Sequence, residues 1–537
     1  MMKKLFFVIC LLSLAFAQSQ NGKLSAKFYQ EKRETFREKM PKNSVAVFFS
    51  APIRNRANDV DYIFHQDPDF FYLTGWHQPH SVLIIYKNPQ GDDQGSFNEK
   101  LYIQERDEYK ELWNGKRFSI EAVKKLGFER VATRNQFKVD VSDLSEYGKV
   151  LMFDFNNDIR DNEDDLYDLF DLKLAFKEAI NFPSSFNSEL YAVYQHILES
   201  DHESIQSTRK EVMDHVEMNS NLIDDEIIKQ FLQYPNNDFY SEVKTKTAFA
   251  LRNFNFDLET LPQIMKDMRE IKTKEEIELL KKAVAISVIG QKEVMKAIHP
   301  EMTEREIQGI HEFVYKKYGA ADEGYPSIVG AGENSCVLHY IKNEKKEIDN
   351  QLVLMDLGAE FYGFTADVTR TIPANGKYSP AQRALYEIVY EAQEKSINAV
   401  KAGISFDSLY NLSYSIISTG LMRLGIIEDF SEARIYYPHG LSHHIGLDVH
   451  DPGNYLDLAV DMVITIEPGI YIPAGSPCDP KWWNIGIRIE DDILITENGP
   501  LNLSEGAPRK WQEIELFMKQ ESILDAFILP EIETLVQ

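Results

Sequence analysis

Cysteine is scarce: three in 537 residues, none in a CxxC pattern. Cys10 falls in an amino-terminal apolar run, which leaves Cys336 and Cys478, too few for a disulfide framework. Basic residues are also short, with 58 Lys and Arg against 85 Asp and Glu, giving a net charge of −27. Phosphate backbones need a basic surface, so a nucleic-acid partner is excluded. Beyond residues 5–16 no apolar run approaches the roughly 20 residues of a membrane span. What remains is an ordinary globular composition, 43% hydrophobic, on a chain too long for one core, so two or more domains are expected.

The amino terminus reads as a targeting segment. Lys3 and Lys4 precede the run 5–16, and Ala15-Phe16-Ala17 gives the small-x-small pattern of a cleavage site. This predicts a signal peptide over residues 1–17 and an exported protein with no membrane attachment once it is removed. Two lysines and no acid leave with it, taking the charge to −29. Phe7-Val8-Ile9 lacks the small residue expected before a lipidated cysteine, so Cys10 does not mark a lipoprotein.

Along the chain, a helix is predicted over 24–40, and Ser44-Val45-Ala46-Val47-Phe48-Phe49 is a β-like run. The aromatic stretch 69–76 continues that texture. Strands are expected at 81–86, 101–104 and 150–154, with a helix at 119–126. Strands alternating with helical patterns give an α/β amino-terminal domain over 18–262. Residues 155–262 are acidic and weakly patterned, with a solvated run over 156–165 and with Tyr191 and Tyr194 read as core. The boundary is set at Leu261-Pro262, where proline interrupts the pattern.

Stronger helix signals follow. Thr273-Lys274-Glu275-Glu276 is a capping box, and Ile277, Leu280, Val284 and Val288 mark one face. Further helices are predicted over 304–318, from Ser379-Pro380 to Gly403, and over 406–424 before Gly425. β segments are expected at 352–361, 364–372, 462–467 and 485–496. The half spanning 263–505 is therefore α+β, helices against an antiparallel sheet, followed by a helical tail over 506–537.

Chemistry concentrates in this half. His439-Gly440-Leu441-Ser442-His443-His444-Ile445-Gly446-Leu447-Asp448-Val449-His450-Asp451 holds four of the chain's 13 histidines. Imidazole is the commonest metal ligand and carries protons near neutral pH. Asp356 ends an apolar run, and Asp367 follows 11 residues later, so a hairpin turning near Phe361-Tyr362-Gly363 places the two acids roughly opposite each other on the same sheet face. Glu467 ends another buried run, and Glu490 lies in a third. Strand alternation puts Arg488 on the face of Glu490, where it is expected to orient that carboxylate.

Asp356, Asp367, His443, Glu467 and Glu490 make sense as one site. Four carboxylates and a neutral imidazole carry four negative charges, which two divalent cations balance. Oxygen-rich donors favour hard ions, Mn²⁺ above all. Paired ions of this kind sit roughly 3.5–4 Å apart in hydrolases and generate a nucleophile at neutral pH. The residues thus point to a dinuclear metallohydrolase.

The order and local sequence of these motifs resemble the pita-bread-fold (creatinase/aminopeptidase) metallopeptidases, and among them the Xaa-Pro aminopeptidases. The matching pieces are Asn334-Ser335-Cys336-Val337-Leu338-His339-Tyr340, 356–371, 439–451, Glu467-Pro468-Gly469-Ile470-Tyr471 and 486–492. Asn58-Asp59-Val60-Asp61-Tyr62, 70–76 and Glu111-Leu112-Trp113-Asn114-Gly115-Lys116-Arg117 resemble that family's amino-terminal domain. Residues 155–262 and the tail beyond Gly506 depart from its shorter members.

The resemblance implies a pita-bread catalytic domain that removes the N-terminal residue preceding proline. It implies that Asp356 chelates one metal, that His443 and Glu467 hold the other, and that Asp367 and Glu490 bridge. A bridging hydroxide would attack the carbonyl before proline while Glu467 passes protons. His339, His439 and His450 would surround the substrate, whereas His444 would pack in the wall and His65, His77 and His80 would be ordinary. It also implies a homodimer or higher oligomer acting on proline-containing peptides. The alternatives are an Xaa-Pro dipeptidase (prolidase) on the same fold and a non-catalytic peptide- or protein-binding module. A methionine aminopeptidase fits poorly with a large amino-terminal domain and an export signal.

Overall fold

The structure is a computed structural model that describes residues 24–155, 159–160, 168–201, 203–233 and 240–526. The predicted signal segment 1–17, most of the acidic run 156–165 and the end of the tail lie outside the described residues. The described residues divide into two compact units, Ser25–Met265 and the part from Lys266 onward.

The first unit is α/β. Its six-stranded sheet runs in the order Val131–Thr133, Gly95–Ile103, Val82–Asp92, Ser44–Phe49, Lys149–Leu151, Phe256–Asp257. The pairings at Val131–Thr133, Lys149–Leu151 and Phe256–Asp257 are parallel, and the others are antiparallel. Ser44–Phe49 is buried along nearly its whole length, which explains why it reads as an unbroken apolar run instead of an alternating one. The helix Ala26–Lys39 lays Phe36 against Phe48 on one face, while Phe137 and Phe176 pack with Val45 and Val47 on the other.

Three expectations fail here for identifiable reasons. The stretch 69–76 is not a strand but part of the helix Pro68–Thr74. Asp67 caps the Phe70 N–H, Pro68 occupies the first turn, and Gly75 closes the helix at φ 61°. Residues 155–262 are not weakly structured: Leu169–Ala179, Ser188–Glu199, Ile205–Met218, Glu226–Gln233 and Tyr240–Leu251 are helices. The last four share a small core of Val193, Ile197, Val212, Ile228 and Phe231, and Tyr191 and Tyr194 are buried as expected. Pro262 does not interrupt a helix. It lies in the first turn of Thr260–Arg269, where a missing N–H costs nothing.

The second unit is α+β. Helices Lys274–Ala297, Glu304–Tyr318 and Pro380–Ala399 each begin with a capping box, on Thr273, Thr303 and Ser379. The third ends at Ala399, short of Gly403, which serves the following turn. Phe406–Arg423 completes the set. Ile277, Leu280, Val284 and Val288 are buried as their spacing requires.

The β structure consists of two long antiparallel arms, each broken midway. In the first, Leu352–Leu357 pairs with Val368–Pro373, and beyond the break Ala359–Phe361 pairs with Phe364–Thr365. The turn uses Tyr362 at φ 51° and Gly363 at φ 85°, the two positive angles of a type I′ hairpin. At the break, Gly358 approaches so closely that a Cβ would stand 1.7 Å from the Ala366 carbonyl oxygen. In the second arm, Val463–Ile466 pairs with Asp491–Thr496, and Gly469–Ile472 pairs with Ile485–Arg488. A glutamine from a neighbouring helix supports each break. Gln291 Nε2 donates to the carbonyls of Val368 (2.7 Å) and Met355 (3.2 Å). Gln393 Nε2 donates to the Ile466 carbonyl (3.2 Å) and to Asp491.

Candidate metal centre

The breaks are where the acids sit. Asp356 lies one residue before the end of its strand, Asp367 just before Val368–Pro373, Glu467 just after Val463–Ile466, and Glu490 between Ile485–Arg488 and Asp491–Thr496. An interrupted ladder frees side chains from the strict pleat and aims them inward. The Glu490 N–H donates to the Thr369 carbonyl (3.1 Å), joining the two arms at this level.

All nine candidate residues, His339, Asp356, Asp367, His439, His443, His450, Glu467, Arg488 and Glu490, line one cavity of about 430 Å³. His443 sits at its centre. Its Nε2 is 3.5 Å from Asp367 Oδ2, 3.5 Å from Glu467 Oε1 and 4.0 Å from Glu490 Oε1. One donor atom from each of Asp367, His443 and Glu490 lies within 4.8 Å of the other two. His443 Nδ1 faces the His444 carbonyl oxygen at 3.0 Å, so the proton belongs on Nδ1 and Nε2 carries a free lone pair into the cavity.

The electrostatics calls for cations. Burial drives the carboxyls of Asp367, Glu467 and Glu490 well above the ordinary carboxylate range, and mutual repulsion adds to it, Asp356 acting on Asp367, Glu490 on Glu467, and Asp367 on Glu490. Asp492, whose side chain accepts the Asp367 N–H (3.0 Å), is pushed to about 8, chiefly by burial. Asp356 goes the other way: burial raises it, but the Arg488 charge and hydrogen bonds from Tyr325 and Arg488 outweigh that. Protons or metal ions must therefore neutralise the group, and three buried carboxylates and the half-buried Glu467 around one free imidazole nitrogen are a donor set suited to divalent ions.

The side chains behind the donors differ in one respect from expectation. Arg488 does not bond Glu490 directly. Its Nη2 donates to Asp356, its Nη1 to the Tyr471 hydroxyl (2.8 Å) and its Nε to Thr369 Oγ1 (3.3 Å), and it is Thr369 Oγ1 that donates to Glu490 Oε2 (2.6 Å). The reason is register: Gly469 lies opposite Arg488 and Tyr471 opposite Gly486, which brings the phenol across to the guanidinium. Tyr471 then joins His439 Nε2 at 2.9 Å, while His439 Nδ1 contacts the Gly440 carbonyl at 2.7 Å and lies 3.6 Å from Glu467 Oε2. Burial, then the Arg488 charge, lowers His439 to about 4, so it is a neutral imidazole at pH 7.

His339 and His450 are exposed at the cavity wall, and the His450 ring packs edge-on against His443 with centroids 4.4 Å apart. His339 lies in a turn, not in a strand. His444 is fully buried against Phe406 and Tyr455 and does not line the cavity. Sequence reasoning missed Tyr325, whose hydroxyl lies 2.6 Å from Asp356 Oδ1 and 2.5 Å from Asp367 Oδ1. It also missed Thr369, Tyr471 and the wall residue Tyr455. Two of these carried a signal, Thr369 in the 356–371 motif and Tyr471 in the Glu467-to-Tyr471 motif.

Residues 278–497 match the model of metallopeptidase family M24, and residues 29–152 match that of the aminopeptidase P N-terminal domain. The chain is 31% identical over 518 residues to the Xaa-Pro aminopeptidase of Escherichia coli, covering 93% of this chain and 98% of that protein. Among solved structures, E. coli aminopeptidase P with the inhibitor Pro-Leu superposes with a TM-score of 0.71 at 29% identity, covering 92% and 98% of the two chains. Proline aminopeptidase P II from Yersinia pestis gives 0.69 at 30% identity, covering 92% and 99%.

Proposed function

Since the chain belongs to the Xaa-Pro aminopeptidases, metallopeptidases of family M24 on the pita-bread fold, we propose that it works with two divalent ions, Mn²⁺ best suited, to release the N-terminal residue from peptides with proline second. The observation that carries this reading is the convergence of Asp356, Asp367, His443, Glu467 and Glu490 on one cavity, all of them buried except the half-buried Glu467. Asp356 would hold one ion, His443 and Glu467 would hold the other, and Asp367 and Glu490 would be shared between them. When bound, such a pair polarises a carbonyl and supplies a hydroxide-like nucleophile at neutral pH.

The protein's own groups do the rest. Glu467 takes the nucleophile's proton and returns it to the leaving proline nitrogen. His339, His439 and His450 surround the substrate: the exposed His339 and His450 donate hydrogen bonds to the scissile carbonyl and to the charge that develops on it, and His439, whose ring nitrogens are held by the Gly440 carbonyl and the Tyr471 hydroxyl, flanks the proline ring. His439 is suited to this because Tyr471, itself held by Arg488, fixes its ring. Proline's tertiary amide nitrogen has no N–H and the ring bends the chain, so a site that recognises substrate through a compact pocket accepts what extended-strand binding rejects.

The same reading makes the protein exported to a periplasm or the medium, supported by Lys3, Lys4 and the Ala15-Phe16-Ala17 site. Among the described residues no helix is long and apolar enough to cross a membrane. Family resemblance supports a homodimer or larger assembly.

The test is a peptide panel with Mn²⁺: Xaa-Pro-Xaa tripeptides against Xaa-Pro dipeptides. Faster turnover of tripeptides is expected. Preference for dipeptides would make it a prolidase, and no metal-dependent turnover would leave a binding module. As control, Glu467→Gln is expected to lower kcat by about 10²–10⁴-fold in a folded protein.

A further inference from the structure

We propose that Glu304 is a positioning residue for His339, acting through Tyr340; the inference rests on the reading of His339 as a substrate-contacting histidine. His339 belongs to the segment between strands Ile328–Ala331 and Leu352–Leu357. Apart from the short 3₁₀ turn Gly332–Cys336, that segment has no regular structure. An exposed imidazole on an irregular segment needs something else to hold its place.

That something is one carboxylate. Glu304 opens the helix Glu304–Tyr318 and its side chain is completely buried. Oε1 accepts from the Ala331 N–H (2.8 Å) and Asn334 Nδ2 (2.9 Å). Oε2 accepts from the Tyr340 hydroxyl (2.9 Å) and the Lys345 N–H (2.9 Å). Four donors saturate both oxygens. They come from residues 331, 334, 340 and 345, so a single side chain ties down the start, middle and end of the segment. The backbone answers: the Glu304 N–H donates to the Lys345 carbonyl at 3.1 Å.

Tyr340 is the link to the cavity. Its buried hydroxyl accepts from Asn334 Nδ2 (3.0 Å) and the Glu344 N–H (3.3 Å) and spends its one proton on Glu304. With Tyr340 drawn inward, its neighbour His339 is turned out to the cavity wall beside His439 and His450. All four donors to the carboxylate are neutral, and a buried carboxylate without a cation beside it is costly unless fully hydrogen-bonded. The helix N-terminus on which Glu304 stands favours the charge. Packing alone would be served by an apolar residue. A carboxylate here defines the conformation of the segment, and so the place of His339.

The experiment is a double-mutant cycle in the Mn²⁺-loaded enzyme with an Xaa-Pro-Xaa tripeptide. Glu304→Gln replaces one of the two acceptor oxygens by an NH2 that faces two donors, and Tyr340→Phe removes one hydroxyl. Expected losses in kcat are about tenfold and about threefold, with KM changed less than twofold and bound metal per chain unchanged. In a His339→Ala background neither change is expected to lower kcat further. Equal losses with and without His339, or no loss in either single variant, would overturn the proposal. If Glu304→Gln fails to fold, the Tyr340→Phe cycle decides alone. If His339→Ala keeps full activity, it is the reading of His339 that fails, and the positioning role falls with it.

Discussion

Arg370 and Asp491 form an ion pair from which water is excluded: Nη2 lies 2.7 Å from Oδ1 and both side chains are 0% exposed. Arg370 stands beside Thr369, whose hydroxyl orients Glu490, and Asp491 directly follows Glu490. The guanidinium also donates to the carbonyls of Thr369, Glu490, Ala507 and Pro508. The pair fastens the two broken arms together next to Thr369 and Glu490. Removing one partner of such a pair leaves a buried charge short of compensation. Arg370→Met is expected to cost about 3–5 kcal/mol in denaturant unfolding. A loss under about 1 kcal/mol would mean the remaining partners of Asp491 suffice.

Thr369 offers a gentler probe. Its hydroxyl is the hydrogen bond that fixes Glu490 Oε2, and Thr→Val keeps the shape while deleting it. Such supporting bonds typically contribute 10–100-fold in metal affinity. Competition of Thr369→Val against a chromogenic chelator is expected to show weakening of about that size, with little change in melting temperature. Unchanged affinity would show that Glu490 is oriented by the fold alone.

Metal removal sets a pH dependence whose sign follows from the carboxyl shifts. Asp367, Glu467, Glu490 and Asp492 have folded-state pKa values raised above those of the unfolded chain, Asp492 to about 8. Groups raised in this way favour the folded state fully only below their unfolded values, near 4, and that contribution is lost as pH rises through the folded ones. The chelated protein's melting temperature is expected to fall from pH 5 to pH 8, and saturating Mn²⁺ to abolish the fall. A chelated protein whose melting point holds steady or climbs over that window would show that the acids are paired by something other than metal.

Much of this site could be read in the chain itself. Asp356 and Asp367 come to one site because two short strands flank a turn whose Tyr362-Gly363 accepts positive φ, although the register sets Asp356 opposite Thr369 and leaves Asp367 two residues short of it, at the break. The capping boxes at Thr273 and Ser379 are local as well. What was not legible depended on distant partners. Tyr325 reaches Asp356 and Asp367 across 31 and 42 residues, with nothing in its neighbours to mark it. Arg488 faced the expected side, but its partner was settled by the register against Tyr471. The stretch 69–76 misled because its aromatic run outweighed three residues, Asp67, Pro68 and Gly75, that specify a helix. In 188–251 the spacing of Val193 and Ile197, and of Val212 and Val216, is helical, but the polar and histidine residues between them diluted the pattern.

The central claim, that five side chains neutralise a pair of dications, is tested most directly by calorimetric titration of chelated protein with Mn²⁺. Two ions per chain are expected, together with loss of at least one of them in Asp367→Asn and in His443→Ala. A fully active wild-type protein that takes up one ion or none, or variants that still bind two with unchanged affinity, would contradict it.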